Sequence, residues 1–179
     1  MKRNRYLHGR WIHLRPVETA DLDRIAEWRN APAIWARFFN PLPIARSQQK
    51  DWLKRLRGDS SRLLFIIAER SSRTALGTIG LDRIDSRNQS AELGNLLIGQ
   101  PRYRRCGIAA ESCRLLLDLA FTRLNLHRIY LHVFTDNKPA IRLYRSIGFR
   151  EEGRLREAIF ADGRFKDILA MGLLRSDEC

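Results

Sequence analysis

Apolar positions along this chain change period several times, and each change predicts a new element. "RWIHLRPV" alternates apolar and polar side chains, the two-residue period of a strand with one buried face. In "TADLDRIAEWRNAP" the spacing becomes helical at Leu22, Ile25 and Ala26, with Thr19 expected as the N-cap and Pro32 as the stop. A second helix is expected in "SQQKDWLKRLRG", where Ser47 starts it, Trp52, Leu53 and Leu56 share a face, and Gly58 lies beyond its end. The runs "RLLFIIAE", "ALGTIGLDRID" and "SAELGNLLIG" are short and β-like. They are separated by "RSSR" and "DSRNQ", so they read as an antiparallel meander.

Helical spacing returns from Ile108 to about Leu124 and gives way at once to a strand, "HRIYLHVFT". "DNKPAIRLYRSIG" predicts a capped helix stopped by Gly148, and the segment 149–174 predicts a hairpin with Asp162-Gly163 at its tip. The order β-α-α-β-β-β-α-β-α-β-β is that of an α/β (α+β) chain. It implies a mixed, mostly antiparallel central sheet of six or seven strands flanked by about four helices. With 179 residues, no repeat and no linker-like tract, one domain over 1–179 is expected.

Composition narrows the classes. No apolar run approaches eighteen residues, and the basic start "MKRNRYLHGR" lacks the apolar stretch of a signal peptide, so a cytoplasmic protein without a membrane span is expected. Cys106, Cys113 and Cys179 form no CxxC pair and no histidine cluster accompanies them. Neither a disulfide framework nor a metal site is therefore expected. The balance of 33 Lys and Arg against 20 Asp and Glu, a net +13, favours contact with phosphates, whether of nucleic acid or of a nucleotide-like cofactor; a solvated basic surface accounts for it equally well.

The candidate chemistry begins at "RYRRCGIAAES". Arg102, Arg104 and Arg105 bring positive charge to the start of a helix, Gly107 allows positive φ or a close backbone approach, and Ala109 and Ala110 leave the first turn bare. The amides from Cys106 through Ile108 to Ala109, with about half a positive charge from the helix, suit a pyrophosphate. Read as Arg104-x-x-Gly107-x-Ala109 between strand and helix, this stretch resembles the acetyl-CoA pyrophosphate loop of the GNAT superfamily of N-acetyltransferases. "AELG" before it and "DNKPAIRLYRSIGF" after it resemble the family's fourth strand and its Asn-x-x-Ala-x-x-x-Tyr-x-x-x-Gly-Phe segment. In order and length the likeness covers essentially the whole chain. It is nearest the RimJ/RimL-like subgroup of ribosomal-protein alanine, spermidine and some nucleotide-amino-sugar acetyltransferases.

The resemblance implies a GNAT fold, acetyl-CoA as cosubstrate, no metal, and direct acetyl transfer to a primary amine without an acetyl-Cys106 intermediate. It implies that Leu96, Leu97 and Ile98 splay from the neighbouring strand and offer backbone groups to the pantetheine. Asn137 corresponds to a cofactor-contacting asparagine, although "DN" is also a helix cap. Tyr144 lies seven residues after Asn137 and four after Ala140, on one helix face, and corresponds to the tyrosine near the cofactor sulfur. A thiol titrates near 8.5 and a phenol near 10, so full proton transfer from phenol to thiolate is uphill by about 2 kcal/mol, and hydrogen bonding to the thiolate is the better role.

Two residues are candidates for the base. Glu92 matches a strand glutamate of histone-type members, with apolar surroundings expected to raise its pKa. His132, near 6.5 when unperturbed, matches the place of a glutamate in the ribosomal-alanine enzymes. A protein N-terminal α-amine, a nucleotide amino sugar, another small amine and a polyamine are the acceptors open. "EWRNAPAIWARFFNPLPIARS" holds one acid and several arginines, which disfavours the polycation. A homodimer stays open as well. Two rivals remain: a basic nucleic-acid module using Trp28, Trp35, Phe38 and Phe39, which leaves Gly107, Asn137 and Tyr144 unexplained, and a CoA-binding sensor without catalysis.

Overall fold

The protein is described by a computed structural model covering residues 7–39, 42–43, 45–104 and 106–177. Eight strands form one sheet: β1 (Leu7–His8), β2 (Ile12–Pro16), β3 (Leu63–Glu69), β4 (Ala75–Asp85), β5 (Ser90–Ile98), β6 (Arg128–Phe134), β7 (Arg150–Ala161) and β8 (Arg164–Leu174). Their spatial order is β1-β2-β3-β4-β5-β6-β8-β7, and every neighbouring pair is antiparallel except β5 with β6. The sheet therefore exceeds the expected six or seven strands. The extra one, β1, is only two residues long and folds back on β2, too short to leave a periodic signal.

The helices are α1 (Leu22–Asn30), α2 (Pro32–Trp35), α3 (Gln49–Gly58), α4 (Ile108–Asp118) and α5 (Lys138–Ile147). Several ends differ from expectation for local reasons. A 3-10 turn, Thr19–Asp21, precedes α1, and Thr19 is not its cap. Asp21 accepts the Glu18 N–H at 2.9 Å and a bidentate grip from Arg15 at 2.6 and 2.7 Å, so the helix entry is fixed from β2. Pro32 does stop α1, by forcing Ala31 into extended backbone, but it also opens α2, whose first turn needs no N–H there. Ser47 lies in a 3-10 turn, Arg46–Gln48, and Gly58 is the last residue of α3 rather than beyond it. The helix expected to Leu124 is α-helical only to Asp118. It finishes in a wider π turn, Leu119–Arg123, where the Leu124 N–H reaches back to the Leu119 carbonyl.

Two apolar clusters sit on opposite faces of the sheet. The larger joins Ile108, Cys113, Leu116, Leu117, Ile141 and Tyr144 of α4 and α5 to Leu93, Ile129 and Leu131 of the strands. The smaller joins Leu22, Ile25 and Trp28 of α1 and Leu53 of α3 to Ile66, Ala68 and Leu97. Leu93 and Leu97 are four residues apart, so simple alternation would put them on one face. A bulge separates them: Asn95 has φ +55°, and between Thr78 and Gly80 of β4 the pairing advances three residues on β5 for two on β4. Three contacts hold it. The Thr78 hydroxyl donates to the Asn95 carbonyl at 2.7 Å, the Asn95 amide to Asp82 at 2.8 Å, and the Arg62 Nε to the other Asp82 oxygen at 2.6 Å.

The parallel ladder between β5 and β6 is short, ending at Glu92 opposite Tyr130. Beyond that point β5 stays with β4 as far as Ile98, and β6 stays with β8 as far as Phe134. The sheet opens between them, and a cleft lies in the opening.

Candidate active site

A cleft of about 1170 Å³ runs through this opening, lined on one side by Leu96, Leu97, Ile98, Arg104, Gly107 and Ala109, on another by Asn137, Ala140 and Tyr144, and deeper in by Glu92 and His132. Residues predicted from widely separated stretches of sequence thus share one space.

Gly107 caps α4 in left-handed backbone, φ +79° and ψ −7°. A Cβ built there meets nothing within 4 Å, so packing does not explain the glycine; conformation and an open approach do. The first intrahelical bond runs from the Glu111 N–H to the Gly107 carbonyl at 3.0 Å, leaving the amides of Ile108, Ala109 and Ala110 without helical acceptors. Gly107 has no side chain to cap them. A pyrophosphate fits such an end, because bare donors and the positive pole of α4 meet at one backbone surface.

The arginines divide. Arg104 Nε donates to the Ile98 carbonyl at 3.2 Å and ties the loop to the splayed strand, while the Arg102 guanidinium lies 4.8 Å over the Tyr103 ring; Arg105 falls outside the described residues. Cys106 is exposed, and its thiol donates to the Arg102 and Arg104 carbonyls at 3.6 and 3.5 Å. Ile108 is buried in the larger core and anchors the first turn. Leu97 is buried towards α1 while Leu96 and Ile98 pack partly against the α4 and α5 core, so the strand edge facing the cleft is mainly backbone and partly buried aliphatic.

Across the cleft, Glu92 and His132 are a pair rather than alternatives: Glu92 Oε1 lies 2.9 Å from His132 Nδ1. The other carboxylate oxygen, Oε2, is 3.0 Å from Arg83 Nη1, and the Tyr130 ring meets His132 edge-on at 6.0 Å. The expected apolar surroundings of Glu92 are therefore incorrect, since a guanidinium and an imidazole flank it. The error has a simple source: Arg83 reaches Glu92 from the neighbouring strand β4, next to Asp82 opposite Glu92, which single-strand patterning does not show. The contact couples carboxylate and imidazole, so a proton received by either is shared with the other.

Asn137 caps α5, its Oδ1 accepting the Ala140 N–H at 3.4 Å, and it also lines the cleft. Tyr144, one face along the same helix, is buried against the Phe149 ring at 5.8 Å. Burial raises its pKa far above the ordinary phenol value, with a further push from Cys113 nearby. The Cys113 thiol is itself pushed up to about 12 by burial, an effect Arg114 partly offsets. At neutral pH Tyr144 is a phenol and a hydrogen-bond donor, which makes full proton donation still less favourable than the sequence suggests.

Other residues of the cleft escaped sequence reasoning. Asp82, Asn95 and Thr78 shape the bulge, and their only sequence signal is the polar "GN" interrupting a strand. Arg29 of α1 and Arg55 of α3 join them, with Phe38 and Trp52, which the sequence offered only for a nucleic-acid surface and for the apolar face of α3. Of the aromatics considered for a nucleic-acid surface, Trp28 and Phe39 are committed to packing and Phe38 lies under Arg29, while Trp35 is exposed. Trp28 is buried with its indole against Gly99, where a Cβ would stand 2.2 Å from the ring, and Phe39 meets Phe134 edge-on at 4.8 Å. Among the described residues no group of His, Cys, Asp and Glu is arranged to hold a metal ion, and no helix is long and apolar enough to cross a membrane.

Comparison with known proteins agrees with this geometry. Residues 12–150 match the acetyltransferase (GNAT) domain family. The chain is 32% identical over 165 residues to a spermidine N(1)-acetyltransferase of Vibrio cholerae, covering 92% of this chain and 94% of that one. It is 27% identical over 178 residues to the putative ribosomal N-acetyltransferase YdaF of Bacillus subtilis, covering 93% and 92%. A crystal structure of the spermidine N-acetyltransferase of Vibrio cholerae in complex with CoA and spermine superposes with a TM-score of 0.86 at 31% identity, over 93% of this chain and 97% of that one. Because the family match extends through the Gly107 loop, β5, β6 and the helix of Tyr144, the chain belongs to the GNAT family of acetyltransferases.

Proposed function

We propose that the protein transfers the acetyl group of acetyl-CoA directly to a primary amine of low pKa, an α-amine or an amino sugar. Glu92 and His132 take the amine proton, and Tyr144 donates a hydrogen bond to the departing thiolate. Acetyl-CoA is the acetyl donor of this family. The amides of Ile108, Ala109 and Ala110 and the edge of Leu96 to Ile98 are the groups that would hold it. The 2.9 Å contact between Glu92 and His132 carries the reading, because it supplies a proton acceptor at the inner end of the cleft, where β5 and β6 part.

Amine pKa separates the acceptors. A polyamine or lysine amine titrates near 10.4 and is almost wholly protonated at neutral pH, whereas an α-amine near 7.7–8.0 is substantially free. An α-amine needs only the proton released on attack to be removed. The polyamine reading draws support from the spermidine acetyltransferases among the relatives. Against it, the two acids lining the cleft, Asp82 and Glu92, are already paired with Arg62 and Arg83.

The test is a set of parallel pH–rate profiles for wild type, Glu92→Gln and His132→Gln, following free CoA with a peptide α-amine, an amino sugar and spermidine. Glu92→Gln is expected to lower kcat/KM more than His132→Gln, since it removes the charge shared by Arg83 and His132. Spermidine as the best acceptor, or loss of the acidic limb only in the His132 variant, would overturn the assignment.

A further inference from the structure

The acceptor wall of the cleft has more positive charge than its own acids neutralise. Arg29 of α1 is partly buried, and its guanidinium carbon lies 3.7 Å over the Phe38 ring; no carboxylate partners it among the described residues. Burial lowers its pKa, the mark of a cation stripped of water without an anion in exchange. Arg55 of α3 lines the same cleft and likewise has no carboxylate partner among the described residues. Arg37, also in the lining, has a long contact, 3.8 Å, with a half-exposed Asp136 and a weaker attraction to the exposed Asp162. An aromatic face returns less to a guanidinium than a charge-assisted pair in a partly desolvated site does.

We propose that the acceptor carries, besides its amine, an anionic group, carboxylate or phosphate, held by Arg29, Arg37 and Arg55. The inference rests on the transfer reading above and names its substrate class. Guanidinium is a planar fork that matches both oxyanions, so the shared chemistry is a multi-oxygen anion on the same molecule as the amine. A polycation would meet these three charges with only Asp136 and Asp162, beside Arg37, to offset them.

Matched acceptors test this: an Ala-Glu peptide with a free α-amine against its Ala-Gln counterpart, and a hexosamine phosphate against the plain hexosamine, with spermidine as the cationic member. The anionic member of a pair should exceed the neutral one at least tenfold in kcat/KM, about 1.4 kcal/mol. Which pair shows the larger gap tells carboxylate from phosphate. In R29Q, R37Q and R55Q the loss on the anionic acceptor should exceed the loss on its neutral partner at least threefold, and high salt should narrow the gap. Gaps near one in both pairs, gaps that survive all three variants, or a rise confined to the KM of acetyl-CoA would overturn the proposal. Turnover of the neutral acceptors tests the transfer reading separately. Calorimetric binding of N-acetyl-Ala-Glu to the CoA-loaded protein reads the arginine subsite without chemistry: wild-type binding that R55Q weakens supports the subsite, and equal binding by the two proteins removes it.

Discussion

Under α4 and α5 the sheet is covered by a continuous apolar core from Ile12 and Leu14 to Met171 and Leu173, whereas under α1 and α3 the covering is thinner and mixed with polar groups. On the first face stand Tyr144 and the first turn of α4; on the second stand Arg29, Trp52 and Arg55, with His13 and Asp21 buried among apolar neighbours. The difference follows from what each face is asked to do. On the proposed reading the first face is the cofactor face: it holds the start of α4 and a buried phenol at fixed positions, which close packing secures. On the same reading the second is the acceptor face: its side chains line the cleft, and their charge would set what enters. Glu92 and His132 lie on strands shared by both, at the one place where the sheet opens.

The most severe way to break the cofactor side is Tyr144→Phe. The ring keeps its contact with Phe149 and its place in the core, and only the hydroxyl is lost. Turnover should fall by about 10² to 10⁴, with stability nearly unchanged. Because burial holds the native phenol protonated well above ordinary pH, the wild-type profile should show no basic limb below pH 10 due to Tyr144. Single-turnover rates together with urea midpoints check both halves. Turnover within threefold of wild type would exclude the leaving-group role.

Gly107→Val sharpens the comparison at the other end of the same face. It forces a β-branched residue into φ +79° and puts methyl groups over the bare amides, so acetyl-CoA affinity should drop at least tenfold, about 1.4 kcal/mol. Gly148→Ala is the matched control. Gly148 also has positive φ, +111°, and a Cβ there approaches the Leu173 side chain at 3.2 Å, yet it ends α5 away from the loop. It should lower stability by about 1 kcal/mol and leave cofactor affinity within twofold. Calorimetry with acetyl-CoA and thermal unfolding of both variants separate strain from site; equal affinities would remove the loop from the cofactor site.

These two sides also differ in how far the sequence foretold them. Gly107 and the alanines after it are legible because a left-handed cap with open amides admits few residue types, and Tyr144 is legible from helical phase with Asn137 and Ala140. Element types were likewise legible, since the apolar period alone separates helix from strand. The Glu92 and His132 contact was not, because it joins residues forty positions apart across a parallel ladder only three pairs long. Nor was the bulge at Asn95, which needs partners far off in sequence, Thr78 and Asp82 on β4 and Arg62 just before β3. Acceptor-side arginines were visible as a count; their place in one cleft, and which of them lack a carboxylate, required the fold.

The smallest expected effect concerns the acceptor face alone. His13 is buried on β2 opposite Ala68, with the His8 ring 5.8 Å away. Its pKa lies below the ordinary imidazole value, first because burial disfavours the charged form, then through His8, Arg15 and Arg73. The sign follows from linkage. Above about pH 6.5 the imidazole is neutral in both folded and unfolded chains and contributes no pH dependence; below it the unfolded chain binds the proton more readily, so stability falls until pH passes below the native value. Urea midpoints measured at pH 7.5, 6.0 and 5.0 should therefore decline towards acid in wild type. The decline should be shallower in His13→Gln, which removes the titration while keeping a polar side chain. The larger face offers no buried histidine to titrate in this range, so Leu131→Val, a cavity variant of that face, should lower the midpoint by a similar amount at all three pH values. An identical acid slope in wild type and His13→Gln would place the pH sensitivity elsewhere.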